Sequence, residues 1–276
     1  MRKLLSANFS RLFRDKTFWF CMGAMLIYAV VYMLNGVRQA TVSLAEYHHT
    51  LDDYYFHFAL VIGMFCALFC SMFLGTEYSD GAIRNKLVVG HTRAGIYLSG
   101  LVVTFAATLF VMAVWLMGAL VGVPALGVWQ MGVPRLLEYL LIAVLCAAVF
   151  SSIFTFISMM SVNKAVTVAV SILVFLGLLI LASMIYNGLQ QPELASSVEL
   201  TQGGIQMSEP QPNPAYIGGA KRTFYEFMID FLPTGQGLLM WQLQIAHPLR
   251  MILSSVLLTI VPAICGIAAF KRKNLK

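Results

Sequence analysis

Two stretches hold side chains whose types and spacing could do chemistry. In HHTLDDYYFH, His49, Asp53 and His57 fall at i, i+4 and i+8, a helical spacing that suits zinc or copper. His48 and Asp52 add a second pair. Polar segments beside a membrane often carry such residues with no metal. The expectation is therefore no metal site, with His49, Asp53 and His57 as the set that would form one. Cys66 and Cys70 also share a helix face, but no His or carboxylate stands beside them. All five cysteines lie in apolar runs and read as packing residues, not as a disulfide framework.

The second stretch is Glu77 to Arg93, EYSDGAIRNKLVVGHTR, with five formal charges (Glu77, Asp80, Arg84, Lys86, Arg93) between two long apolar runs. An ionised side chain at a bilayer centre costs roughly 2.5–3.5 kcal/mol on the insertion scale, so this segment must emerge into water or headgroups. Ser79 or Asp80 can cap a helix start, Ile83, Leu87 and Val88 then share one face, and Gly90 can stop it. Such a short amphipathic helix is suited to docking, not to catalysis.

Catalytic machinery is otherwise missing. There is no H-E-x-x-H pair, no nucleophile constellation and no G-x-x-x-x-G-K-[ST] loop, so the chain is expected to be no enzyme and to hydrolyse no nucleotide. Ion-coupled transporters need ionisable groups inside the membrane. Here no Asp, Glu, Lys or Arg sits in the middle of an apolar run, and Glu138 lies at the edge of one. Uphill movement would need energy from another subunit.

The elements that carry these stretches follow from composition. The chain is 59% apolar and 11% charged, with a mean hydropathy of +0.80. Its long apolar runs can each cross a hydrocarbon core of about 30 Å. Spans are expected at about 17–37, 58–76, 96–122, 137–160, 165–186 and 249–270. Residues 1–16 place Leu5, Phe9, Leu12 and Phe13 against Arg2, Lys3, Arg11, Arg14 and Lys16, the pattern of an interfacial basic helix. No A-x-A-like site ends the next run, so this segment is expected to be retained.

Six spans put both termini on one side. Thirteen basic residues fall there and five on the other, together the eighteen in the chain. The positive-inside rule makes the thirteen-residue side cytoplasmic, along with both termini and 77–95. The net charge of +6 is thus a matter of orientation in a bilayer, not of nucleic-acid binding. The outer segment 187–248 contains KRTFYEFMIDFLP, which places Phe224, Phe227, Met228 and Phe231 on one face. This predicts a re-entrant or interfacial helix over 221–232, stopped by Pro233, with Trp241 as an interface anchor. The predicted fold class is an all-α polytopic membrane protein forming a single transmembrane domain over 1–276.

With this topology in place, Glu77, Gly81, Arg84 and Arg93 after the second span resemble the cytoplasmic signature of the ABC type-2 permeases, roughly E-x-x-x-G-T-x-R followed by a further basic residue. These are six-span membrane subunits of bacterial ABC exporters, sharing the fold of the G-subfamily half-transporters. Ala82 stands where the family usually has Thr, and Gly100 near where a Lys is common.

The resemblance implies that 77–95 is a coupling segment seated in a groove of a separate ABC ATPase subunit, which would hold the ATP and magnesium. Ile83, Leu87 and Val88 would be its buried face, and Arg84 and Arg93 would meet acidic partner groups. Glu77 would pair with Arg84 or Arg93. It also implies a dimer with a second copy or a paralogue, with Phe65, Phe69, Phe175 and Leu179 on the second and fifth spans as candidate pathway residues. The implied activity is export of an amphipathic compound such as an antimicrobial peptide, a drug or a lipid-like molecule, from the plasma membrane of a bacterial-type cell. The alternatives are a regulatory or assembly protein that docks a cytoplasmic partner without transport, and a channel.

Overall fold

The structure is a computed structural model that describes residues 1–42, 50–127, 129–195, 198–201, 204–207 and 209–273. Its helices are α1 (Arg2–Arg14), α2 (Lys16–Val42), α3 (Asp52–Tyr55), α4 (Phe58–Ser79), α5 (Ala82–Val88), α6 (Arg93–Ala119), α7 (Val123–Leu126), α8 (Val133–Met160), α9 (Lys164–Leu189), α10 (Gly219–Phe231), α11 (Pro233–Trp241) and α12 (Pro248–Arg272). A 3-10 turn, Leu120–Gly122, joins α6 to α7. Between α9 and α10 lie two small antiparallel ladders, Leu194–Ala195 with Gln211–Pro212 and Val198–Thr201 with Gly204–Met207. The rest of the fold is helical.

Six segments are long and apolar enough to cross a membrane: Lys16–Val42, Asp52–Ser79, Arg93–Leu126, Val133–Met160, Lys164–Leu189 and Pro248–Arg272. Several overrun the expected spans. The 27 residues of α2 rise about 40 Å at 1.5 Å each, more than the hydrocarbon core requires. Its start is set by Asp15, whose carboxylate accepts from Thr17 N (2.7 Å) and Phe18 N (3.2 Å).

The span α4 is the axis of the bundle. It is mostly buried and packs against α2, α6, α8, α9 and α11, whereas α9 and α12 leave most of their surface open. Hydroxyls stitch the inner helices together. Thr104 meets Thr155 at 2.9 Å, Thr108 meets Ser151 at 3.3 Å, and Ser71 donates to Ser171 at 2.8 Å. Thr108 and Ser151 also return a bond to the carbonyl four residues back, so these polar groups cost the apolar interior little. Ser151 and Thr155 of the fourth span thus face α6.

Two details appear at the ends of the bundle that the sequence reading did not give. In α1 the inward row is Leu4, Asn8 and Leu12, while Phe13 is exposed. The cause is Asn8, which finds polar partners on α5 and α6 and turns the helix toward them. On the outer side, Pro233 not only stops α10 but opens α11 at its first position, where a missing N–H is harmless. Helix α11 dips into the bundle, with Pro233 through Met240 buried. A Cβ on Gly237 would stand 2.5 Å from the carbonyl oxygen of Ala59, so only glycine permits this approach to α4.

Candidate functional site

The end of the bundle that carries residues 77–95 is built on the last turn of α4. That helix closes through Asp80 and Gly81; Gly81 sits at φ 69 and donates its N–H to Tyr78 O at 3.2 Å. The same left-handed glycine is the N-cap of α5, so neither Ser79 nor Asp80 caps it with a side chain as expected. At the other end Gly90 (φ 94) donates to Leu87 O (2.9 Å) and His91 to Lys86 O (3.1 Å), the paired bonds of a Schellman stop. Thr92 then caps α6 by accepting from Gly95 N. Two glycines with positive φ therefore hang α5 between two spans as a rigid short arm.

Glu77 holds that arm to the rest of the protein. Its side chain is 1% exposed, and its Oε1 accepts from Arg11 Nη1 and, at 2.7 Å, from Lys86 Nζ. Lys86 also donates to Asn8 Oδ1 (2.9 Å), and Asn8 Nδ2 donates to Ser99 Oγ (3.1 Å). The second arm of the Arg11 guanidinium donates to Phe73 O, and the group lies 3.9 Å from the centre of the Phe73 ring. One carboxylate thus joins α1, α4 and α5, and through Asn8 also α6. The expected pairing with Arg84 or Arg93 is not made. Lys86 stands two residues after Arg84 on α5, about 200° round the helix, so it meets Glu77 while Arg84 is exposed, and Arg11 arrives from a helix remote in sequence.

The two expected partners lie elsewhere. Arg93 caps the end of α12, donating from Nη1 to Phe270 O (3.1 Å), Lys271 O (3.2 Å) and Lys273 O. Lys273 continues the clasp, donating from Nζ to Met159 O at 2.9 Å and lying 4.4 Å from the Tyr78 ring centre. Burial lowers the pKa of its ammonium from the ordinary lysine value. Arg84 points into solvent.

The apolar face of α5 is divided. Ile83 is buried inside the protein and Leu87 packs partly against the same core, but Val88 is 81% exposed and Val89 76%. The surface left for anything outside is therefore Arg84, Val88 and Val89, not the three-residue face read from the spacing. Val89 was legible only as the residue after that face.

The candidate pathway residues separate as well. Phe69 is buried between Phe18 and Phe73, and Phe175 is buried edge-on to Phe150 at 6.0 Å. Phe65 and Leu179 are half-buried. Of the proposed metal set, His49 lies outside the described residues. Asp53 accepts from Thr50 N at 2.8 Å, a local turn-closing bond, while His57 stacks on Tyr32 at 4.0 Å and meets Tyr28 Oη at 2.7 Å. Short helix α3 ends at Tyr55, between Asp53 and His57, and each of the two side chains is engaged with its own protein partners. Among the described residues no three His, Cys, Asp or Glu side chains gather as a metal site.

At the outer end a second polar centre escaped sequence reading. Gln236 on α11 is fully buried and donates from Nε2 to Asp230 O (2.9 Å), Met251 O (3.2 Å) and Ser254 Oγ (3.1 Å), while Ser255 donates to its Oε1 (2.9 Å). Asp230, also buried, receives Arg250 Nη1 at 3.1 Å with His247 Nδ1 at 3.2 Å. Burial raises its pKa more than these neighbours lower it. Tyr186 and Gln190 of α9 both donate to Gln244 Oε1 in the α11–α12 turn, at 3.2 and 2.9 Å. A Gln inside an apolar turn of P-T-G-Q-G was the signal available for this centre.

Six long apolar helices, a surface helix at one end and a short helix held between the second and third spans define a polytopic membrane protein built as a transport component. A family model described as ABC-2 family transporter protein matches residues 4–181, from α1 into α9. The chain belongs to this family. No curated protein gives a match to it.

Proposed function

We propose that the chain is the permease subunit of an ATP-driven exporter in a bacterial-type plasma membrane, paired with a second permease copy or paralogue and moved by a separate ABC ATPase that carries the ATP and magnesium. The single observation that supports this most is the state of α5. Arg84 and Val88 on the seven-residue helix, and Val89 at its C-cap, stand in the open between ends fixed by Gly81 and Gly90. Exposed apolar pairs on an otherwise anchored element mark a contact surface.

On this reading closure of the ATPase pushes on Val88 and Val89, and the carboxylate of Glu77 passes the load to α1 and α4. The open faces of α9, around Leu173 and Ile180, supply the surface toward the second copy. Cargo moving along such an apolar wall is an amphipathic compound, since spans without ionisable groups in their middle suit neither ions nor sugars.

The test is co-purification of the permease with an ABC ATPase subunit from the same cells. Val88→Glu and Arg84→Glu, both on exposed positions, should each cut recovery of the ATPase about tenfold or more, as a desolvated charge in a packed interface does. Both should leave the elution profile of the permease unchanged. Full recovery with both variants overturns the proposal. Recovery that falls while no compound is exported by the intact complex favours a docking protein without transport.

A further inference from the structure

A cavity of about 350 Å³ opens between the outer end of α9, helix α10 and the α11–α12 turn. Its floor is apolar, formed by Leu189, Ile229 and Leu239, and its wall carries Arg222, Glu226 and Asp230. That combination of an apolar body with a few converging polar groups, at this size, is the ordinary form of a small-molecule site.

The valences left over on the wall decide what would bind. The only partners of the buried Asp230 carboxylate among the described residues, Arg250 and His247, both approach Oδ2. Its Oδ1 takes no hydrogen bond from a described residue. Glu226 likewise uses Oε1 for Arg222 Nε at 3.1 Å and leaves Oε2 open. The Arg222–Glu226 pair is part-exposed on both sides, so it is a weak pair that a competing cation can open. Arg222 then keeps a second resting place, since its guanidinium already lies 5.8 Å from the Tyr216 ring centre. Two carboxylates, one of them part-exposed, line the cavity together with His247 and the apolar floor, and each has an oxygen that takes no hydrogen bond from a described residue. They suit an ammonium or guanidinium group on a hydrophobic body.

The geometry points to this cavity as a binding site for a small amphipathic organic amine on the outer face of the permease. Its role as a station for departing cargo rests on the exporter reading above; the binding itself does not.

The probe is phenethylammonium, titrated calorimetrically into the purified full-length permease in nanodiscs, with the heat of empty nanodiscs subtracted. The wild-type protein should bind it, and 3-phenylpropionate, which has a similar apolar body and the opposite charge, should give no heat. Glu226→Gln should weaken binding roughly tenfold, the value of one charge-assisted bond. Ala246→Trp should abolish it, because Ala246 is an exposed lining residue where a large ring fills space without disturbing the core.

Absence of binding to wild-type protein with an unchanged melting profile overturns the site. So does equal binding by Ala246→Trp, or binding of the carboxylate as strong as that of the amine. None of these readouts involves the ATPase. A failure here beside intact co-purification therefore rejects the cavity alone, and amine binding without co-purification rejects the exporter reading alone.

Discussion

Glu77→Gln is the most informative single change. It keeps the shape of the side chain and removes the charge that Arg11 and Lys86 share through one oxygen. Two cations are then left around a neutral amide. Breaking a buried pair typically costs about 3–5 kcal/mol. Arg11 and Lys86 keep part of their surface in water, and each has a second acceptor, Phe73 O or Asn8 Oδ1, so the lower value of about 2 kcal/mol is expected. Because the carboxylate joins α1 and α5 to α4, the loss should appear as local opening and not as global unfolding.

Hydrogen exchange followed by mass spectrometry on the protein in nanodiscs reads this directly. Amides of α1 and α5 should exchange roughly thirtyfold faster, the equivalent of about 2 kcal/mol, while α8 is unaffected. Arg11→Met should take away half of the effect in advance. In that background Glu77→Gln should cost clearly less, because only Lys86 remains to be stranded. Unchanged protection of α1 in Glu77→Gln, or additivity of the two changes within about 0.5 kcal/mol, refutes the network as the tie between these helices.

Two further outcomes concern the outer end. Gly237→Ala places a methyl group against the Ala59 carbonyl, a backbone group that cannot rotate away, and should destabilise the protein by about 1–3 kcal/mol, read as a lower melting temperature in detergent. Asp230 has its carboxyl pKa raised by burial, so the folded state holds the proton more tightly than the unfolded chain does. Its contribution is therefore complete below the ordinary carboxyl value of about 4 and is lost as pH rises through the raised one. The melting temperature of the wild type relative to Asp230→Asn should accordingly fall as pH increases across that window; a rising difference contradicts the shift.

What the sequence made legible was the part governed by the solvent. Apolar run lengths located six spans, because the hydrocarbon core of a bilayer penalises charge whatever packs beside it. The position of the short helix α5 was equally readable, since charges must leave the membrane and Gly90 favours a helix stop there. What stayed hidden depends on pairs distant along the chain. Arg11 and Glu77 are sixty-six residues apart, and nothing in either neighbourhood names the other. Arg93 looked like a docking cation because α12 lies about one hundred and eighty residues further on and its bare carbonyls cannot be seen in a local pattern. Helix α11 was missed for a different reason: two glycines in P-T-G-Q-G disfavour a helix, and only the close approaches of Gly235 to Ile229 and of Gly237 to Ala59 explain why they are there.

These distant pairs explain why a short arm can matter to a long bundle. The 22 residues of α4 extend about 33 Å, from Glu77 at one end to the Ala59–Gly237 contact at the other. Helices pack around it along most of that length, and a close-packed rod has little room to bend. If α5 is where a motor pushes, the clamp of Arg11 and Lys86 on Glu77 keeps the load from being spent in a loose hinge. The far end of α4 then bears on α11, whose buried Gln236 binds the backbone of α10 and α12. Helix α11 is also tied to α9, since Thr234 Oγ1 donates to Leu178 O at 2.8 Å, so a tilt of α4 would reach α9, α10 and α12 and bear on the cavity wall that α9 and α10 share. The carboxylate at one end and the glycine contact at the other are the two places where that transmission can be cut without touching the spans between them.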